Sequence, residues 1–239
     1  MLDAMVETAA YVLSQNNFSS SFIRLTKSDR KEESLRRALY NINSGEKGSY
    51  NFELNPSDLT CISNSPFAYW VDNKTLELFK TAPKFKGSDR SANQGIATSD
   101  NFRYVRDLME VSFDKVGDSV ESTLGSRKFV GFLNTPESTR FYYDNTQVIN
   151  YYEDGAEVKA KAEGLYKQYS RTVKSEKVYF RNGISWAFRT AYFQPHLVPF
   201  GSMPTSTRYL AVMDSEDDIL ATAGLWNSEY IDYCLKLSM

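Results

Sequence analysis

The sequence contains few of the residues that build a metal site or a nucleophilic active site. It has one histidine and two cysteines among 239 residues. Cys61 and Cys234 are far apart and lack the spacing of a zinc site, so the composition fits a reducing cytoplasm. His196 lies in a Pro-His-Leu segment with no serine or cysteine elbow nearby. A hydrolase of the Ser/His/Asp or Cys/His type is therefore not expected.

An excess of one charge is also absent. The 28 lysines and arginines nearly balance the 30 aspartates and glutamates, giving a net charge of −2. Overall electrostatics therefore do not indicate a nucleic-acid-binding protein, and any DNA contact would have to come from a local patch. Neither GxGxxG nor GxxxxGKS/T occurs, so the sequence shows no phosphate-binding loop.

The apolar stretch at the start of the sequence does not have the properties of a membrane segment. Met1–Leu13 carries Asp3 and Glu7, lacks a basic flank, and is shorter than the ~20 residues that span a bilayer. We expect neither a signal peptide nor a membrane anchor, and no membrane partner.

What is abundant is apolar and aromatic material, at 41% and 14% of residues, which is enough to form a core. Hydrophobic periodicity and capping residues predict helices over residues 28–43, 66–79 and 217–237, the last broken near Asn227-Ser228. Short aromatic runs between turns predict strands, including a hairpin of residues 9–13 with 21–25, and one strand over 102–105. Residues 84–98 are expected to form a loop. Short strands with a few helices indicate an α+β fold.

Two segments carry side chains that suit nucleic-acid contacts. In Gln94–Arg106 (QGIATSDNFRYVR) the amide and guanidinium groups could contact base edges, and hydroxyls could contact phosphates. The candidates there are Gln94, Thr98, Asn101, Arg103 and Arg106. In Tyr179–Thr190 (YFRNGISWAFRT), Trp186 and Arg189 suit stacking and phosphate contacts. The alternatives are a local Asp100/Arg103 cap or turn in the first segment and a packed hairpin with outward arginines in the second.

Several motifs in one order resemble the PglX-like adenine-specific DNA methyltransferases of BREX phage-defence systems. Ser65–Val71 (SPFAYWV), Gln94–Arg106 and Met109–Val111 (MEV) are similar to the family pattern SPxAYW, QGLATGDNxRFxR and WEV. The likeness continues in the segments Met5–Leu13 (MVETAAYVL), Val148–Gly155 (VINYYEDG), Tyr179–Trp186 (YFRNGISW) and Leu225–Tyr233 (LWNSEYIDY). Ser99 replaces a glycine of the pattern, and Leu108-Met109 stands where tryptophans are common.

The resemblance implies a domain organisation. Residues 1–48 would correspond to the last strands and helix of the catalytic domain, a terminal remnant of its Rossmann-like sheet. Residues 49–239 would form part of a mixed α/β target-recognition domain. In the family the glycine-rich cofactor motif and the Asn-Pro-Pro-Tyr base pocket precede this region, so the chain is expected to be an internal fragment. Asn55-Pro-Ser-Asp58 lacks the second proline and the aromatic, and we interpret it as a turn.

The resemblance also implies a function. The parent enzymes transfer a methyl group from S-adenosylmethionine to adenine, whereas this chain would hold no cofactor, no metal and no catalytic residue. We expect it to be inactive alone and to bind duplex DNA, with other defence-system proteins as further partners. The expected DNA contacts are Gln94, Thr98, Asn101, Arg103, Arg106, Trp186 and Arg189. The alternative is a remnant or protein-interaction domain that keeps the fold without binding DNA.

Overall fold

The computed structural model describes residues 9–13, 19–64, 66–85, 90–134, 139–188, 190 and 192–238. Contacts divide the chain into two units, Met1–Ala82 with Leu237–Met239, and Pro83–Lys236. Both contain helices and strands, and the second unit has parallel as well as antiparallel strand pairs, so the predicted α+β class is confirmed. The predicted domain boundary after residue 48 concerns the parent enzymes and stays a prediction. Within the described ranges, no helix is long and apolar enough to cross a membrane.

The first unit is a two-stranded sheet with helices. Its elements are β1 (Ser20–Ile23), α1 (Lys31–Ser44), β2 (Asn51–Leu54), a 3-10 turn (Pro56–Cys61) and α2 (Asn73–Thr81). The predicted first helix is confirmed, and it ends where Gly45 adopts a left-handed φ of 71°. The Asn55 side chain caps the 3-10 turn by accepting from the Ser57 amide at 3.1 Å, which confirms the turn interpretation. Buried residues of this unit include Leu54, Leu59, Ile62, Ala68, Val71 and Leu76.

Two expectations for this unit are wrong. β1 pairs antiparallel with β2, and residues 9–13 contain no strand, so the predicted hairpin does not form. Phe22 lies opposite Phe52 in that pairing, which joins segments about thirty positions apart in sequence. The second helix begins at Asn73 rather than Pro66, because Asp72 accepts from the Lys74 and Thr75 amides at 3.0 Å and caps it there.

The second unit contains two sheets. Its strands are β3 (Arg90–Gln94), β4 (Val105–Asp107), β5 (Val116–Gly117), β6 (Phe129–Leu133), β7 (Gln147–Asn150), β8 (Gly183–Ala187), β9 (His196–Val198), β10 (Ser202–Pro204) and β11 (Arg208–Met213). Its helices are α3 (Asn101–Tyr104), α4 (Val120–Leu124), α5 (Tyr152–Tyr166), α6 (Glu216–Trp226) and α7 (Glu229–Ser238), the last residues of which are grouped with the first unit. One sheet has the order β10-β6-β7-β4 with β5 beside β6, and the other has the order β3-β11-β8-β9.

The main core contains apolar residues from both sheets of this unit. Val130 and Ile149 come from one sheet, and Leu210 and Val212 from the other, all of them nearly or fully buried. The opposite face of the β3-β11-β8-β9 sheet packs on α6, through Ile184 among others. Strand residues alternate between these two layers, as the period of two requires. The two sheets of this unit therefore share one core.

Several element assignments in this unit differ from expectation. Residues 102–105, predicted as a strand, belong mainly to α3, and β3 lies within the predicted loop 84–98. α5 was not predicted, since its first turn contains left-handed residues at Glu153, Asp154 and Gly155. The break between α6 and α7 at Asn227-Ser228 is confirmed. Asn227 donates from Nδ2 to the Pro195 carbonyl at 3.0 Å, a contact that fixes the turn.

Candidate nucleic-acid interface

The backbone of the predicted DNA-contact segment is held firmly where it leaves β3. A Cβ at Gly95 would lie 1.6 Å from the Pro204 carbonyl oxygen, so only glycine permits this close approach. The next two amides, of Ile96 and Ala97, donate to the carbonyls of Pro204 at 2.9 Å and Thr172 at 2.8 Å. The segment therefore begins from a fixed position on the body of the second unit.

A left-handed residue turns the chain toward α3. Ser99 has a φ of 55°, a conformation that glycine adopts without strain and that costs other residues about 1–2 kcal/mol. This is the position at which the family pattern has glycine. The buried Thr98 hydroxyl contacts the Asn101 side-chain oxygen and accepts from the Asp100 amide at 3.2 Å. Thr98 thus shapes the turn, and its predicted phosphate contact stays a prediction.

Asp100 fixes the start of α3 in two ways. Its carboxylate accepts from the Arg103 amide at 3.1 Å and from Lys161 Nζ, on α5, at 2.7 Å. The hydrogen bond from Lys161, followed by that from the Arg103 amide, lowers the pKa of Asp100. The local cap that the sequence left open as an alternative is therefore present, and a long-range ion pair reinforces it.

Arg103 is turned toward α5. Its Nε donates to Glu157 Oε1 at 2.7 Å, and Nη2 contacts the same carboxylate. The side chains of Arg103 and Glu157 are 57% and 49% exposed, so the pair is solvated. A DNA phosphate would have to compete with this carboxylate for the guanidinium.

Arg106 differs from Arg103 in its partners. Its Nη1 donates to two carbonyl oxygens, those of Phe102 at 2.7 Å and Val105 at 2.6 Å, and the side chain is exposed. Carbonyl groups orient the guanidinium without neutralising its charge. Arg106 is therefore the better placed of the two arginines for an anionic ligand.

Gln94 and Trp186 lie together, but on the other sheet. Gln94 is opposite Tyr209 on β11, and Tyr209 is opposite Trp186 on β8, so the three occupy one row of the β3-β11-β8 sheet. The Trp186 ring stacks on Tyr209 and meets Trp226 edge-on, with centroids 5.5 and 5.3 Å away. Gln94 donates from Nε2 to the Ser206 carbonyl at 3.2 Å. The Gln94 side chain is therefore engaged in a hydrogen bond and the Trp186 ring in aromatic packing. The third predicted residue, Arg189, lies outside the described residues.

The structure thus brings four predicted residues to one short segment, Thr98, Asn101, Arg103 and Arg106. Sequence reasoning missed the α5 side chains Glu157 and Lys161 that hold this segment, because they are 54 and 61 positions from their partners. It also missed Phe102, whose side chain is 94% exposed on α3. No local pattern identifies either feature, since strand-like alternation would put Phe102 on the same face as Tyr104, which is buried.

The lone histidine belongs to a buried polar cluster. Ser185, His196 and Arg208 are each at most 2% exposed. Arg208 donates from Nε to Ser185 Oγ at 3.3 Å, and its Nη2 lies 3.2 Å from His196 Nδ1. Burial, and then the charge of Arg208, lower the pKa of His196 to about 4. The Ser/His pair is inaccessible to a substrate, so the cluster is structural. Among the described residues no group of His, Cys, Asp or Glu side chains could hold a metal ion.

Comparison with known proteins relates the chain to adenine-specific methyltransferases. No protein-family model matches it. It is 24% identical over 242 residues to the adenine-specific methyltransferase PglX of Lacticaseibacillus casei (strain Zhang), a match that covers 98% of this chain and 20% of that protein. The chain therefore spans about a fifth of the relative's length. The resemblance to PglX-like methyltransferases indicated by the sequence motifs is confirmed.

Proposed function

We propose that this chain is a DNA-recognition part of a site-specific adenine DNA methyltransferase of the BREX phage-defence kind. Its partner would be duplex DNA, and S-adenosylmethionine would serve the parent enzyme rather than this chain. The observation that carries the proposal is the similarity to PglX over 98% of the chain. The segment from Thr98 to Arg106 is the proposed contact surface.

The local geometry supports a contact role for this segment. Two ion pairs to α5, Asp100 with Lys161 and Arg103 with Glu157, hold α3 in place. A preordered surface loses less conformational entropy when it binds, so fixed donors are more effective than flexible ones. Arg106, exposed and partnered by carbonyls, presents the positive charge of this surface. The net charge of −2 requires such a local feature.

A salt-dependent titration tests the proposal. The chain is mixed with a short fluorescent duplex of mixed sequence, and anisotropy is measured over a series of salt concentrations. If Arg106 contacts phosphate, Arg106→Ala weakens binding to every sequence alike and reduces the salt slope by about one unit. If Arg106 reads guanine, the loss is about 1–3 kcal/mol and is confined to one position of a preferred site.

Arg127 provides the matched control. It is also exposed, and its Nη1 also donates to a backbone carbonyl, that of Val116 at 3.2 Å, but it lies outside the proposed surface. Arg127→Ala should leave affinity and salt slope unchanged. Arg103→Ala should have a smaller effect than Arg106→Ala, because Glu157 already occupies the Arg103 guanidinium.

The alternative is a protein-interaction domain or remnant that retains the fold without DNA affinity. The net charge of −2 favours it. Under this alternative the duplex would not bind, or the Arg106 and Arg127 variants would bind as the unmodified chain does. Either result would defeat the DNA-recognition proposal.

A further inference from the structure

Phe102 is an apolar side chain on α3 that the described residues leave almost fully exposed. Its side chain is 94% exposed, whereas its neighbour Tyr104 on the same short helix is 1% exposed. An exposed phenylalanine gains nothing from the hydrophobic effect in the free protein. Single exposed apolar residues are common on protein surfaces, however, so exposure alone does not assign a role.

The placement of Phe102 adds a second observation. The helix that carries it is capped by Asp100, anchored inside by Tyr104 and tied to α5 through Arg103, so the backbone under the ring is fixed. Arg106 donates to the carbonyl oxygen of Phe102 at 2.7 Å. This hydrogen bond joins the guanidinium to the main chain of Phe102, so an exposed ring and an exposed guanidinium belong to the same turn of the surface.

This pairing distinguishes between possible ligands. A protein partner that covered the ring would also cover Asn101, Arg103 and Arg106, the exposed polar or cationic residues near Phe102 in the sequence. A polyanion with flat apolar rings matches the pair better. Proteins bind single strands with aromatic rings that stack on bases beside cations that hold the backbone. In duplex DNA they insert apolar side chains between base steps and partly unstack them.

We infer that Phe102 is a nucleobase-stacking residue, which places its ring against a base at a step where the bound duplex is kinked and partly unstacked, while Arg106 holds a neighbouring phosphate. This inference rests on the proposed function and adds a specific residue and a ligand group to it. Because the ring is already exposed and held on a fixed helix, binding would bury it without a rearrangement of the second unit.

The test compares Phe102→Ala with Phe102→Trp, and uses Phe113→Ala as the matched control. Phe113 is also a highly exposed phenylalanine, at 84%, but it lies outside the proposed contact surface from Thr98 to Arg106. Two probes are used, both duplexes of mixed sequence. One carries fluorescein and reports affinity. The other carries 2-aminopurine, whose emission rises when a base leaves its stack. Melting temperatures are measured for every variant.

We expect Phe102→Ala to lower DNA affinity by roughly tenfold or more, the effect of losing one base–aromatic stack. The salt slope should not change, because no charge is lost. Phe102→Trp should retain affinity, and Phe113→Ala should bind as the unmodified chain does. The melting temperature of Phe102→Ala should be unchanged, and the 2-aminopurine response should be weaker than with the unmodified chain.

Other results would overturn the inference in distinguishable ways. If Phe102→Ala binds normally while Arg106→Ala loses affinity and salt slope, stacking is wrong and the DNA-recognition proposal stands. If neither variant changes binding, or the duplex does not bind, both are wrong. An equal loss with Phe113→Ala would indicate a general apolar effect. If Phe102→Ala changes only self-association, measured by sedimentation, the ring contacts protein.

Discussion

The buried His196 predicts that the second unit loses stability in mild acid. The imidazole is 1% exposed and lies 3.2 Å from Arg208 Nη2, and the Tyr143 ring packs beside it at a centroid distance of 5.8 Å. A proton on this ring would place a second positive charge beside a buried guanidinium, without water to solvate either. The native state therefore holds His196 neutral.

The magnitude follows from linkage. Unfolded histidine has a pKa near 6.5, while in the native state the pKa is about 4. Between these values the unfolded chain binds the proton and the native chain does not, so acid favours unfolding. The free energy of unfolding falls by about 1.4 kcal/mol for each pH unit in this window. Going from pH 7 to pH 5 should therefore cost roughly 2 kcal/mol, and the contribution is fully present above pH 6.5.

Two measurements test this expectation. His196 is the only histidine in the sequence, so one imidazole proton resonance in a nuclear magnetic resonance titration reports its native pKa directly. Urea unfolding at both pH values gives the stability loss. The comparison is with His196→Gln, which keeps a neutral acceptor for Arg208 but cannot be protonated. Carboxylates titrate in both proteins. The loss of unfolding free energy between pH 7 and pH 5 in the unmodified chain, minus the same loss in His196→Gln, is therefore the contribution of His196.

Normal imidazole titration near pH 6.5 would refute the reasoning, as would equal pH dependence of the two proteins. If His196→Gln does not fold, as judged by circular dichroism at pH 7, His196→Asn and the resonance titration of the unmodified chain still decide the question. A native pKa above 6.5 would mean that a proton is accommodated beside Arg208, and stability would then rise in acid.

Three further predictions concern the contact segment and the cofactor. Ser99→Gly should raise the free energy of unfolding by up to about 1 kcal/mol in chemical denaturation, because Ser99 is exposed and left-handed; a loss of stability would contradict the strain argument. Glu157→Gln should strengthen duplex DNA binding severalfold at low salt by releasing Arg103, because Asp100 still caps α3 and its ion pair with Lys161 still holds the helix. Glu163→Gln, which changes an exposed glutamate on the same helix, should leave binding unchanged. The purified chain should show no saturable heat of S-adenosylmethionine binding in calorimetry; micromolar saturation would overturn the assignment of the cofactor to the parent enzyme.

Local sequence patterns were sufficient where the structure depends on neighbouring residues. The helix that ends at Gly45 and the turn capped by Asn55 depend on contacts within a few positions. The break at Asn227-Ser228 also has a local contact, from Asn227 to the Ala223 carbonyl, although the contact to Pro195 that fixes it is long-range. The motif order was also sufficient to recognise the resemblance to PglX, which the match over 98% of the chain confirmed. Local patterns failed at the second helix, because the cap at Asp72 overrode the proline that suggested an earlier start.

Long-range contacts decided the rest. The partner of β1 is β2 rather than the adjacent apolar run, and strand pairing across about thirty residues leaves no local signal. α5 begins through left-handed residues, including Gly155, at which a Cβ would lie 2.4 Å from the Tyr151 ring, so helical periodicity does not mark its start. The candidate site shows the same division. The sequence shows that arginines occur in a polar loop. Only the folded chain places the Glu157 carboxylate beside Arg103 and gives Arg106 carbonyl partners instead. The reason is that charge pairing depends on distance in space and not on position in the chain.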